Sequence, residues 1–174
     1  MDNNMNASLI EQRLSAVFAK EDPHLIPILS YKGRGHLFNR IVSTWSKGPY
    51  SHTEAVLSNL NPQLGAEPLF LMGSSSFRDG GVRMKSFRID DDKWDLRVIR
   101  SKASIQEAFD WFALHDKDSY SVLGLLGLFI AQPQENNGSS FCNESVGLSI
   151  GLKEAWRYDP NSFFQFIDLI ATGD

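Results

Sequence analysis

Cys142 is the chain's one cysteine, and it stands where an apolar helix would begin, in "SSFCNESVGLSIGL". Amide N–H groups left unpaired at a helix start, together with the helix dipole, favour a thiolate there. A thiolate is a nucleophile, and a nucleophilic cysteine needs a base to take its proton. Of the four histidines, His52 is the best placed, at the start of "SHTEAVLS". That run reads as a strand, where residues two apart share a face, so Glu54 looks the same way as His52. A carboxylate there would raise the basicity of the imidazole, or take part in substrate recognition. Each assignment has a plainer alternative. A lone cysteine is often a small buried hydrophobe, and His52 with Glu54 could be the polar face of an edge strand.

Other chemistries have less behind them. His24 stands in a proline-flanked loop, His36 follows a glycine-rich loop, and His115 ends a helix where the dipole favours a cation. No H-E-x-x-H spacing occurs, and one cysteine cannot build a structural zinc site, so neither a metal nor another cofactor is expected. There is no G-x-S-x-G elbow and no G-x-x-x-x-G-K-[ST] phosphate loop. Glu144, two residues after Cys142, is expected to cap or pack at the helix start.

The elements that must hold these side chains read as α+β. The chain has 174 residues, a 42% apolar content and a net charge of −4, which suits one globular domain over 1–174. An acidic chain without a basic patch is not expected to bind nucleic acid. The densest basic stretch, Arg78 to Arg88, is interrupted by Asp79 and reads as a solvated hairpin. The N-terminus lacks the basic and apolar regions of a signal peptide. The longest apolar run, Ser121 to Ala131, is too short to cross a bilayer, so no transmembrane segment is expected.

Apolar spacing predicts a first helix with Leu9, Ile10, Leu14, Val17 and Phe18 on one face. Leu25 to Tyr31 reads as a short extended segment, and Leu37 to Trp45 as a helix with Leu37, Ile41 and Trp45 inward. Strands follow at Ser51 to Ser58, Leu69 to Ser76, Val82 to Ile89 and Trp94 to Arg100, an antiparallel meander. Helices come next, at Ser104 to His115 with Ser104 as N-cap, within Tyr120 to Ala131, over Phe141 to Gly151 with Ser139 or Ser140 as N-cap, and from Asp159 or Asn161 onward. Helices, a meander and more helices make an α+β order.

Cys142 on a helix, His52 on a meander strand, and His52 preceding Cys142 by 90 residues resemble the circularly permuted branch of the NlpC-type papain-like cysteine hydrolases. That branch includes relatives of lecithin–retinol acyltransferase. The motifs that carry the resemblance are "YSHTEAVL" and "FCNESVGLSIGL". Similarity to phage- and prophage-encoded members rests on "SSSFRDGGVRMK" (Ser74 to Lys85), on Trp94 to Leu96, and on Tyr158 to Phe163. The likeness runs from about Leu29 to Phe163.

The resemblance implies a papain-like core over residues 25–165, with residues 1–24 as a helical extension. It implies a meander or small barrel of about four to six strands against helices, with the nucleophile at a helix N-terminus. Cys142 would be the nucleophile and His52 the base. The residue that orients the base comes, in this fold, from the next strand. That strand holds only Ser74, Ser75 and Ser76 as polar side chains, so Ser75, Glu54 or no third residue orients His52. Tyr31, Tyr50 and Ser74 are candidates to line the substrate pocket. The implied reaction is acyl transfer from an amide or ester: a cell-wall peptide in a phage setting, an acyl-lipid by the wider branch. The implied surroundings are the bacterial host cytoplasm or the phage particle, with phage structural proteins as partners. The alternative is a structural or assembly protein of a phage particle that kept the fold and lost catalysis.

Overall fold

The computed structural model describes residues 8–33, 37–62, 68–121 and 139–172, without the side chains of 37 and 38. Its elements in chain order are α1 (Leu9–Phe18), β1 (Leu25–Tyr31), α2 (Leu37–Trp45), β2 (His52–Asn59), β3 (Phe70–Ser76), β4 (Gly81–Ser86) and β5 (Trp94–Arg100). Then come α3 (Ile105–Leu114), β6 (Ser119–Tyr120), β7 (Ser139–Ser140), α4 (Cys142–Ser149), a 3-10 turn (Ala155–Arg157) and α5 (Pro160–Ile170). The architecture is α+β.

The strands form one sheet in the order β5-β1-β2-β3-β4-β6-β7. Seven strands exceed the four to six expected, because β6 and β7 are two-residue additions at the β4 edge. All neighbouring pairs are antiparallel except β6 with β7. β1, expected only as a short extended segment, lies between β5 and β2 and is buried along nearly its whole length.

Alternation along the strands divides the core between the two sheet faces. On one face Leu29, Val56 and Met72 pack with Ile10, Leu14 and Val17 of α1. The helix that the likeness left outside therefore contributes to the core. On the other face Ile28, Ala55 and Leu57 meet Ala108 and Phe112 of α3, Val146 of α4 and Phe163 of α5. Gly73 is required where α3 comes closest, since a Cβ there would lie 2.5 Å from the Phe112 ring.

Local chemistry sets the helix starts. Ser8 and Glu11 form a capping box at α1, and Ser104 and Glu107 form one at α3. The Asp91 carboxylate adds a long-range cap to α1, accepting from the Leu9 and Ile10 amides at 2.7 and 3.1 Å. Asp159 caps α5, and Pro160 fills its first turn.

Three sequence expectations are corrected here. In α2, Ile41 and Trp45 are 44% and 50% exposed, and Val42 and Ser43 are buried. The helix has turned by one position, because Val42 packs with Phe141, Tyr120 and Trp156. Leu9 in α1 is exposed as well. The N-cap of α4 is Phe141, not a serine, since Ser139 and Ser140 are taken up by β7. His36 and residues 122–131 lie outside the described residues.

Candidate active site

β2 begins at His52, which pairs across the ladder with Tyr31, the last residue of β1. Tyr31 in turn pairs with Trp94, the first residue of β5. This register puts the imidazole at one end of the sheet. The ring meets Trp94 edge-on at 6.5 Å between centroids. Cys142 opens α4 at the same end.

Buried polar contacts fix α4 against the sheet. The Ser75 amide donates to Ser145 Oγ at 2.9 Å, and Ser75 Oγ donates to the Ser140 carbonyl at 2.6 Å. Thr53 Oγ1 donates to Asn143 Oδ1 at 3.0 Å. Asn143 Nδ2 donates to the Tyr158 carbonyl at 3.1 Å, which fixes which way round the amide lies. The Cys142 thiol is thereby carried close to the His52 ring, near enough to help raise the ring's proton affinity. The thiol donates to Asn143 Oδ1 at 3.3 Å. Cys142 is 2% exposed, and the His52 side chain is 20% exposed. The base, not the nucleophile, faces the outside.

Glu54 holds the other side of the ring. Its Oε1 lies 2.8 Å from His52 Nε2. The carboxylate is 1% exposed, so burial alone would push its proton affinity up. The Arg83 guanidinium outweighs that, together with His52, and holds Glu54 down at about 2. Glu54 is therefore an anion at neutral pH, and Nε2 is the nitrogen that donates to it. Nδ1 is the ring nitrogen left for Cys142. Burial likewise opposes charge on His52, but the nearby Cys142 sulfur and the hydrogen bond and charge of Glu54 raise it to about 9.

Arg83 is the main residue that the sequence analysis placed wrongly. Instead of belonging to a solvated hairpin, its side chain is only 14% exposed. Nη1 and Nη2 donate to the two Glu54 oxygens at 2.6 and 2.5 Å, and Nε donates to Asp79 Oδ2 at 3.0 Å. Tyr120 is a second residue the sequence analysis missed. Burial and the nearby Cys142 sulfur raise its phenol well above the ordinary value, so it stays protonated.

The remaining candidates are distributed as follows. Ser75 does not orient His52. It alternates with Ser74 along β3 and lies on the α4 side of the sheet, where its hydroxyl is used by Ser140. Ser74 lies on the Glu54 side but is fully buried, and its hydroxyl donates to the Thr53 carbonyl at 2.5 Å. Tyr50 is buried too: its ring stacks on Phe164 at 4.0 Å, and its hydroxyl donates to Asp95 at 2.6 Å. Neither Ser74 nor Tyr50 is free to line a substrate pocket. Tyr31 is half-buried against Trp94, at 4.9 Å between centroids, and borders the site.

Among the described residues, no three of His, Cys, Asp and Glu converge as a metal ion would need, and no helix is long and apolar enough to cross a membrane. His115 sits on its own helix, with Nδ1 2.8 Å from the Trp111 carbonyl. No protein-family model matches the chain, and no curated protein matches it either.

Proposed function

We propose that this chain is a cysteine hydrolase that cleaves an amide or ester bond by acyl transfer, on the permuted NlpC-type papain-like fold its sequence resembles. The observation that carries the proposal is the ionised Glu54 carboxylate hydrogen-bonded to His52 Nε2, with Cys142 close enough to the ring to raise its proton affinity. A nucleophile, a base and a group that orients the base are what covalent acyl transfer requires.

The steps follow from the atoms. His52 Nδ1 holds the proton that Cys142 gives up, since the ring stays protonated up to about pH 9, and Glu54 stabilises that imidazolium through Nε2–H. Cys142 is 2% exposed in the free chain, so a substrate has to displace neighbouring side chains to reach the sulfur. The thiolate then attacks the substrate carbonyl carbon, and the electron pair moves onto the carbonyl oxygen. The Cys142 backbone N–H at the helix start and the Tyr120 hydroxyl are the donors for that oxyanion. Collapse of the tetrahedral adduct expels the amine or alcohol, which leaves with the proton from His52. His52 then takes a proton from water, and the hydroxide attacks the thioester. The acid is released and the thiol restored.

A cell-wall peptide is the proposed substrate, on the likeness to phage-encoded members, with an acyl-lipid as the second choice. The reading as a structural protein without catalysis leaned on the serine-only β3 and on the apolar run Leu123 to Ala131 as an assembly surface, which lies outside the described residues. Glu54 fills the orienting place from β2, which favours the enzyme. Cys142→Ala and His52→Ala are to be assayed on labelled muropeptides and acyl esters. Turnover on one class is expected to fall at least about a thousandfold in both variants. Wild-type turnover in both variants would end the proposal.

A further inference from the structure

We propose that Arg83 and Asp79 are positioning residues. The Arg83 guanidinium, gripped on its outer edge by Asp79, fixes Glu54 as an anion against His52 and so keeps the base competent toward Cys142. The inference rests on the acyl-transfer assignment above.

The geometry is a continuous chain of hydrogen bonds from the hairpin turn to the His52 ring. Asp79 stands in the β3–β4 turn, where Gly80 takes a positive φ of 86°. That turn sets the register that places Arg83 opposite Ser74, on the sheet face of Glu54. Arg83 then meets Glu54 with both terminal nitrogens and Asp79 with Nε. Two donors converge on Glu54 Oε1, Arg83 Nη2 and His52 Nε2. The carboxylate thus cannot rotate away from the ring without losing the fork.

Stability alone does not call for this arrangement. A buried ion pair gains little over a well-packed apolar pair of the same volume. Perturbed charges in mutual contact beside a nucleophile are instead the mark of a tuned site. The charged groups acting on Glu54 are Arg83 from β4 and His52 from its own strand. β1 places Leu29 opposite it. Without the guanidinium, burial would leave Glu54 protonated over much of the acid range, and a neutral carboxyl supports an imidazolium poorly. Asp79 is more exposed and also pairs with Lys85 at 3.3 Å, so its share is the smaller.

The test is an NMR titration of the His52 ring in wild type, Arg83→Met, Arg83→Lys and Asp79→Asn, with kcat and KM measured on the same proteins. In the wild type the ring signals are expected to move once, near pH 9. In Arg83→Met a second inflection is expected between about pH 4 and 7, as Glu54 takes up a proton. kcat should fall about tenfold or more with KM little changed, and the acid limb should move up by about one pH unit. Arg83→Lys should recover part of both effects, and Asp79→Asn should show a weaker form of them. A folded Arg83→Met whose ring titration and kcat superimpose on the wild type overturns the proposal. If that variant does not fold, Glu54→Gln is compared with Glu54→Gln/Arg83→Met, which strands no buried carboxylate. Equal kcat in the two supports action through Glu54, and a further loss of about tenfold in the double variant overturns it. Wild-type turnover in His52→Ala would remove the acyl-transfer assignment instead, and the ring titration would still judge Arg83.

Discussion

The Thr53 hydroxyl donates to Asn143 Oδ1 at 3.0 Å, tying the residue after the base to the residue after the nucleophile. Both residues are fully buried. Asn143→Leu would strand the Thr53 hydroxyl and the Tyr158 carbonyl together. Each stranded group costs about 1–3 kcal/mol, so a loss of about 3 kcal/mol is expected in urea unfolding, with kcat falling in parallel. Thr53→Val keeps the shape and removes only the donor, and should cost about 1 kcal/mol. Asn143→Leu at wild-type stability would mean that this contact does not hold α4 to β2.

Glu54→Gln tests the orienting group. A charge-assisted hydrogen bond is roughly twice as strong as a neutral one. Glutamine could also present its amide to Nε2 and turn the ring toward the wrong tautomer. A fall in kcat of about a hundredfold or more is expected, with KM little changed. A kcat within a factor of two of the wild type would reduce the site to a Cys142–His52 dyad.

Tyr120→Phe removes one hydroxyl that feels the Cys142 charge and leaves the ring packed against Phe77. If the phenol serves the oxyanion, kcat should drop about tenfold to a hundredfold while KM stays put, because the bond strengthens only in the transition state. A rise in KM at constant kcat would assign Tyr120 to substrate binding instead.

Alternation within one strand was enough to place His52 and Glu54 on one face, and the helix start was enough to single out Cys142. Those readings are local, with each residue's position following from its neighbours in the chain. Arg83 was not legible. Its partner is 29 residues away, and only the β3–β4 register says that they meet. Ser74 and Ser75 are the same residue type on opposite faces, so sequence cannot tell which one sees the ring. Tyr120 belongs to a two-residue strand that pairs at Gly81, and no pattern of two residues announces a strand. The face of α2 was misjudged because its partners, Phe141 and Trp156, come from the far end of the chain.

Glu144 gives a prediction whose sign depends on pH. It sits in the first turn of α4, is nearly buried, and accepts from the Phe141 amide at 3.3 Å. Burial raises its carboxyl from 4.5 to about 7, against the smaller pull of that amide. A folded-state value above the unfolded one means stability that is whole below pH 4.5 and is lost as pH rises through about 7. The loss amounts to about 3 kcal/mol. Glu144→Gln keeps an acceptor for Phe141 and carries no charge at any pH. Its melting temperature should match the wild type at pH 4 and exceed it by several degrees at pH 8. The His52 and Glu54 titrations are present in both proteins and cancel in the difference. A melting-temperature gap that stays constant from pH 4 to pH 8 would show that the Glu144 side chain reaches water and pays no desolvation cost in the folded chain.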